Sequence, residues 1–293
     1  MSVETVLVTG ATGRIGPTVV ERLRERHRVV GASRSGGDVG DAHLRGDLAD
    51  PGDAYGVLAA SEADALVHLG MPSTPEGRPG HATVLDTVAS TYCLLEAAEA
   101  LDLASVVLAS SMSVLGSGFD PGRTRLSYLP LDEAHPLTPR DPYGLAKHLM
   151  EVAADGVGRR AGAPTITSLR FPWLPRPADV EAAFDGRDRS LAALREHPSY
   201  HSIRNTLFAY LHVDDAARAI ERALDADHAG HEVCWATAAD TAVDSPTADL
   251  VRKVYPEVPT RRPVEGHESL VDCAKARHLL DWEPRRSWRD VAE

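Results

Sequence analysis

The segment DPYGLAKHLM (141–150) sets Tyr143 four residues before Lys147 in a stretch that reads as the start of a helix. Four residues is about one helical turn, so the two side chains share a face and can point into one site. A phenol with a pKa of about 10 is a poor base at neutral pH, but a nearby ammonium stabilises the phenolate and draws its pKa toward the working range. Lysine is scarce here, 3 against 28 arginines, which makes this one conspicuous. Upstream, ASSMSVLG (109–116) puts Ser110, Ser111 and Ser113 at the end of an apolar run, where a hydroxyl can bond a substrate oxygen and the tyrosine together. A Tyr and a Lys at this spacing also arise by chance as a solvated pair, so their weight depends on what accompanies them.

What accompanies them first is TGATGRIG (9–16), with Gly10, Gly13 and Gly16 after a strand-like run and opening a helical one. Glycines in that context let the backbone turn tightly and approach a pyrophosphate, while the helix N-terminus favours its negative charge. An ordinary strand-to-helix turn needs no such set. The end of the second strand decides which dinucleotide is expected. An acidic side chain there holds a free ribose 2′-hydroxyl, whereas a 2′-phosphate calls for a cation. GASRSGG (31–37) offers Ser33, Arg34 and Ser35, so NADP is expected over NAD, with Arg34 on the phosphate and the serines donating hydrogen bonds. A solvated surface arginine is the plain alternative. RGDLADP (45–51) places Asp47, with Leu48 beside it, after a third strand, where the carboxylate can accept from an adenine amino group or simply cap the loop.

These residues need a frame, and the chain supplies an alternation of strand-like and helical runs. TVLVTG (5–10), RVVGAS (28–33), ALVHLG (65–70), SVVLASS (105–111) and TITSLRF (165–171) read as strands. Helical patterns cover 14–27, 81–101 and 143–161 between them. The expectation is an α/β Rossmann-type fold, a doubly wound parallel sheet with right-handed crossovers, in a dinucleotide-binding domain of residues 1–171. The run FPWLPRPADVEAAFDGRDRS (171–190) breaks the regularity, so 172–293 reads mainly as a small C-terminal substrate lobe. Residues of about 205–236, including the helical LHVDDAARAIERALD (211–225), return to the cofactor domain.

Composition narrows the partners. With 293 residues and 43% hydrophobic content the chain can bury a sizeable core. No leader is expected, since the first residues lack a basic, apolar, small-residue pattern, and no apolar run nears bilayer length. Cys93, Cys234 and Cys273 are far apart and form no CxxC pair, so neither a disulfide framework nor a zinc site is indicated and a reducing cytoplasm is the expected compartment. A net charge of −12 repels nucleic-acid phosphates and anionic membranes, excluding both as expected partners. The acidic, lysine-poor balance fits a salt-adapted, halophilic protein and a GC-rich genome equally. His81, His148 and His212 lie at no metal-ligand spacing, so no metal is expected.

Taken in order, the motifs TGATGRIG, GDLAD, VHLG, SSMSVLG, YGLAK, LRFPWLP and LHVDD resemble the extended short-chain dehydrogenase/reductase family, which contains nucleotide-sugar epimerases and dehydratases and several sugar dehydrogenases. The resemblance covers most of the chain. It implies Ser111 as the serine that orients the substrate, Tyr143 as acid/base, and Lys147 as the residue that lowers its pKa and holds the nicotinamide ribose. It implies a cofactor set that adds Thr12, Arg14 and Ile15 of the turn, Leu69, Gly70, Tyr143, Lys147 and Pro172 to Gly10, Gly13, Ser33, Arg34, Ser35, Asp47 and Leu48. The expected substrate contacts are Ser73, Ser111, Ser113, Tyr143, Arg170 and Trp173, although Arg170 at a strand end could pair with a carboxylate and Trp173 could be core. The family often has Tyr where Leu115 stands and Ala where Gly70 stands, which bears on the pocket's shape.

The implied chemistry is hydride transfer between a carbinol carbon and nicotinamide, with Tyr143 moving the hydroxyl proton. Nucleotide-sugar enzymes generally need a sizeable C-terminal lobe, and only about 120 residues follow Phe171. The chain instead looks similar to compact members that oxidise a free sugar, an aldose such as L-arabinose or a uronate, at C1 to the lactone, a likeness that VHLGMPS (67–73) shares. A nucleotide-sugar 4-epimerase or reductase is the alternative among enzymes, and a non-catalytic NADP sensor the alternative outside them. Such sensors commonly lack the Tyr and Lys that stand here. A homodimer pairing the two long helices is expected from the resemblance.

Overall fold

In a computed structural model of the protein, the structure describes residues 3–71, 77–117, 119, 122–176, 179 and 188–290. Seven parallel strands form one sheet: β1 (Thr5–Thr9), β2 (Arg28–Ser33), β3 (Ala42–Arg45), β4 (Ala65–His68), β5 (Ser105–Ser111), β6 (Thr165–Phe171) and β7 (His231–Trp235). Their spatial order is β3-β2-β1-β4-β5-β6-β7. Chain order therefore reverses between β1 and β4, and the carboxyl ends of those strands open a crevice at the switch point. The helices that matter to it are α1 (Gly16–Leu23), α2 (Pro51–Ser61), α3 (Gly80–Ala100) and α4 (Pro142–Gly158). Beyond them come two short helices, α5 (Leu191–Arg195) and α6 (Tyr200–Asn205), then α7 (Val213–Leu224), α8 (Thr247–Val254) and α9 (Ala274–Leu280).

Strands β1, β2, β4, β5 and β6 are largely buried on both faces, which is why they read as continuous apolar runs. Alternate residues nonetheless feed different cores. Val6, Val8, Val67 and Val107 pack with Val19, Val20 and Leu23 of α1 and Ile220 of α7. Leu7, Leu66, Val106 and Leu108 pack with Leu58 of α2, Leu94 and Leu95 of α3, and Met150 and Val157 of α4. The first core continues into the C-terminal half of the chain through Leu194, Phe208, Leu250 and Leu280. Among the described residues no helix is long and apolar enough to cross a membrane.

The sheet matches the sequence expectation, and the differences are local. The helix expected over 14–27 begins at Gly16, because residues 10–15 form the turn itself. The strand expected to reach Gly70 ends at His68, so Leu69 and Gly70 lie beyond it on the crevice. Strand β7 has only Cys234 and Trp235 buried of its five residues, so its sequence HEVCW carries little apolar signal.

Candidate active site

The turn after β1 is shaped by close approach. Gly10 has φ +68°, and a Cβ there would stand 2.7 Å from Gly70 Cα. Only glycine tolerates both conditions. Gly13 N donates to Gly10 O, which closes the turn and leaves the start of α1 facing the crevice. Thr9 Oγ1 accepts from Gly70 N and lies 2.6 Å from His68 Nδ1, tying β1 to the end of β4. Burial and the neighbouring Lys147 drive His68 down to about 3, so the imidazole under the turn is neutral.

Tyr143 is placed by the N-terminus of α4. Asp141 caps that helix by accepting from Gly144 N, and Pro142 begins it. A Cβ on Gly144 would stand 2.4 Å from Ser113 O, so glycine is what lets α4 close on the turn that carries the serines. Ser111 ends β5, its Oγ accepting from Ser113 N at 3.1 Å and donating to Ser113 Oγ at 3.2 Å. Tyr143 sits in the first turn of α4, where the helix dipole favours an anion. Burial still pushes its phenol up to about 12, Asp141 adds to that, and the Ser111 hydroxyl draws it back. Lys147 is 4% exposed, 5.6 Å from the centre of the Tyr143 ring, with Nζ donating to Ala109 O at 2.5 Å and to Met71 Sδ at 3.4 Å. Burial lowers it to about 7, against the pull of Glu151. The Ser111 hydroxyl is the neighbour that draws the phenol down in this arrangement.

These groups open on one cleft of about 1150 Å3, which exceeds the ~300–1,000 Å3 of an ordinary small-ligand pocket. The whole expected cofactor set borders it: Gly10, Thr12, Gly13, Arg14 and Ile15 of the turn, Ser33, Arg34 and Ser35 after β2, Asp47 and Leu48 after β3, Leu69 and Gly70 after β4, Tyr143 and Lys147 of α4, and Pro172 after β6. A dinucleotide fits this donor set: a glycine cradle beside a helix N-terminus, then guanidinium and hydroxyls where a ribose would end. No carboxylate stands at the end of β2. Arg34 is exposed, its Nη1 3.9 Å from Asp86 Oδ2 of α3, and Arg78 pairs with the same carboxylate. Asp47 both borders the cleft and accepts from Ala49 N, so the two roles open to it are compatible.

Of the expected substrate contacts, Ser111, Ser113, Tyr143 and Trp173 line the cleft. Ser73 lies outside the described residues. Arg170 does not reach the lining; it is 4% exposed and gives Nε and Nη2 to the two oxygens of Glu151 at 2.9 and 2.7 Å. Sequence reading missed the far wall, where Leu194 of α5, Ser202 and Ile203 of α6, then Thr206, Phe208 and Ala242 enclose the end beyond Tyr143. Arg189 borders it too, donating Nε and Nη2 to Ala242 O. Phe119 meets the Tyr143 ring edge-on at 5.5 Å. His81 is exposed, and His212 caps α7 by accepting from Asp214 N. No cluster of metal-ligating side chains occurs among the described residues.

Comparison with known proteins follows the same lines. The NAD dependent epimerase/dehydratase family matches residues 6–234. The uronate dehydrogenase of Pseudomonas syringae pv. tomato is 26% identical over 234 residues, 78% of this chain and 73% of that enzyme. A UDP-glucose 4-epimerase of Mycolicibacterium smegmatis is 28% identical over 308 residues, 95% of this chain and 93% of that enzyme. UDP-glucose 4-epimerase 4 of Oryza sativa is 33% identical over 186 residues, and this chain spans 48% of its length. Among solved structures, a short-chain dehydrogenase/reductase superfamily protein from Agrobacterium tumefaciens with bound NAD superposes with a TM-score of 0.71 at 23% identity, covering 98% of this chain and 94% of that one. A glucuronic acid dehydrogenase from Chromohalobacter salexigens superposes at 0.67 and 23% identity, covering 99% and 88%. At these identities the superpositions speak for the fold.

Proposed function

The chain belongs to the NAD dependent epimerase/dehydratase family, and from that premise we propose that it oxidises a free sugar, an aldose such as L-arabinose or a uronate, at C1 to the lactone, with NADP preferred and NAD accepted. The observation that carries this reading is the far wall of the cleft. Among its described residues Arg189 is the one guanidinium, and two of its N–H groups go to Ala242 O. A nucleotide diphosphate brings at least two charges that need cations and donors. A neutral aldose needs hydroxyl partners, which Ser113 and Ser202 supply, and a uronate brings one charge. Ser33, Arg34 and Ser35 support the NADP preference.

Bound nicotinamide would supply a hydride acceptor at C1. The rest is done by the protein. Ser111 donates to the sugar oxygen and holds it beside Tyr143, which takes the hydroxyl proton as the carbonyl forms. Lys147, in its ammonium form, stabilises the phenolate and holds a ribose hydroxyl. Phe119, Trp173 and Phe208 screen the reacting atoms from water. On this reading residues 172–293 mainly form the substrate lobe, with 205–236 returning to the cofactor domain. Leu85 and Tyr92 of α3 and Leu145 and Val152 of α4 are exposed apolar side chains suited to a homodimer of these two helices. The free thiols Cys93, Cys234 and Cys273 suit a reducing compartment.

A 4-epimerase acting on a UDP-sugar is the second reading, favoured by the span of the mycobacterial match. The two part in one assay. Nicotinamide absorbance is followed with NADP and NAD against free aldoses, uronates and UDP-sugars, in low and high salt. Reduction of NADP by a free sugar supports the proposal. Silence with all free sugars, together with interconversion of UDP-sugars, refutes it.

A further inference from the structure

Tyr143, Lys147, Glu151 and Asp155 recur at intervals of four along α4, and every one meets a polar partner on the sheet. Tyr143 meets Ser111 at the end of β5. Lys147 gives Nζ to Ala109 O, also of β5. Glu151 accepts from Ser110 Oγ of β5 at 2.6 Å and from Arg170 of β6 through both carboxylate oxygens. Asp155 lies 2.6 Å from Nδ1 of His231 on β7, whose Nε2 lies 2.8 Å from Ser168 Oγ of β6. A step of four residues rotates the stripe by about 40° on a 3.6-residue helix. The contacts advance accordingly from β5 through β6 to β7 as the helix crosses the sheet.

The buried centre of this stripe is costly unless it has a use. Glu151 is 3% exposed, and desolvating an ion pair commonly costs as much as the pair returns. We propose that Glu151, clamped by Arg170 and Ser110, is a positioning residue for Lys147, its fixed carboxylate holding the lysine in the ammonium form that Tyr143 requires. This rests on Lys147 as the partner of Tyr143. The charges around Lys147 support the assignment. On α4 they are Tyr143 and Glu151; from β4 His68 faces it as a neutral imidazole; from β6 comes Arg170, bound to Glu151; on α3 Asp86 opens on the cleft but is held by Arg78 and Arg34. Glu151 stands one helical turn from Lys147 on the same buried face, and its partner Ser110 adjoins Ala109, whose carbonyl holds Lys147 Nζ; from there the carboxylate opposes the drag of burial on the lysine. The other two lysines, Lys253 and Lys275, pair with Asp249 and Glu232 away from the cleft.

Three lysines allow a direct test. With 13C-labelled lysine the side-chain spectrum holds three signals, and Lys147→Arg identifies the one of interest. In Glu151→Gln the Lys147 midpoint should fall by about one unit, the size expected from losing one near carboxylate. In Asp155→Asn, which releases the outer peg of the same helix, the midpoint should stay while the melting temperature drops. An unchanged midpoint in Glu151→Gln overturns the proposal, as does an equal fall in both variants, which would mean that loosening α4 suffices. If Glu151→Gln does not fold, Glu151→Gln combined with Arg170→Gln is compared with Arg170→Gln alone, so that only the carboxylate differs, and a midpoint no lower in the double variant overturns the proposal equally. The titration needs no substrate, so its outcome is independent of which sugar the enzyme uses; the alkaline limb of kcat/KM in Glu151→Gln should move down by the same interval as the midpoint.

Discussion

At the dinucleotide end of the cleft the surface is largely backbone, whereas at the far end it is side chains of two short helices and a loop. Gly10 and Gly70 touch across the first end at a distance that admits no Cβ, and Gly13 N closes the turn on Gly10 O. At the second end Leu194, Ser202, Ile203, Thr206 and Phe208 project from elements of five and six residues and the chain that follows them. A backbone surface allows few residue types and recognises what every dinucleotide has in common. A side-chain surface can be rebuilt one substitution at a time. The junction between the two is Tyr143 with Ser111, and the division predicts that substitutions lose effect with distance from that junction and from the backbone cradle.

The largest effect is expected at the junction. Tyr143→Phe removes the proton carrier while keeping the ring that meets Phe119, so kcat should fall by about 10²–10⁴-fold. Dinucleotide affinity, measured by titration of protein fluorescence, should change little. A near-normal kcat would remove Tyr143 from the chemistry and leave the junction without an acid/base group.

Next comes the cradle. Gly10→Val puts a β-branched side chain at φ +68° and drives its Cβ against Gly70 Cα. Dinucleotide affinity should fall by more than about tenfold, for NADP and NAD alike, because strain of about 1–3 kcal/mol is set directly under the cofactor. Equal loss for both cofactors is the signature of a backbone surface. A loss confined to one would show that this end also discriminates through its turn.

What could be read from the sequence follows the same division. TGATGRIG and the strand–turn–helix around it are legible because backbone geometry there dictates residue types, and the apolar strands because burial on both faces leaves few polar positions. The far wall was not legible. Helices of five and six residues are too short for a 3.6-residue period to show, and Ser202 and Thr206 are types found in any loop. Arg170 shows a different limit: its position at the end of β6 was readable, but its partner Glu151 comes from a helix that only the folded crossover brings alongside. The spacing of Glu151 four residues after Lys147 was in the sequence throughout; the carboxylate's clamp was not.

Arg34 is the one place at the cradle end where a side chain is asked to discriminate. Arg34→Ala should raise the Kd for NADP about tenfold, or about 1.4 kcal/mol, and leave that for NAD within about twofold. Asp86, which Arg34 shares with Arg78, would otherwise repel a 2′-phosphate, so losing the guanidinium exposes the phosphate to that carboxylate. An equal change for both cofactors would return Arg34 to the solvated surface.

The smallest effect belongs to the far wall, and it tests whether that wall touches sugar at all. Ser202 lines the cleft, and its hydroxyl has no hydrogen-bond partner among the described residues, whereas Thr206 Oγ1 already donates to Ser202 O and Ile203 O. Ser202 is thus the hydroxyl with a proton to give. Ser202→Ala should raise KM for the sugar by about three- to tenfold with kcat unchanged, the pattern of one neutral hydrogen bond made equally in ground and transition states. Thr206→Val should do less. The reverse ranking would mean that the sugar lies across α6 in a different orientation, with Thr206 as acceptor. No response from either would move the substrate toward Ser113 and Trp173, shrinking the side-chain end to the rim around Tyr143.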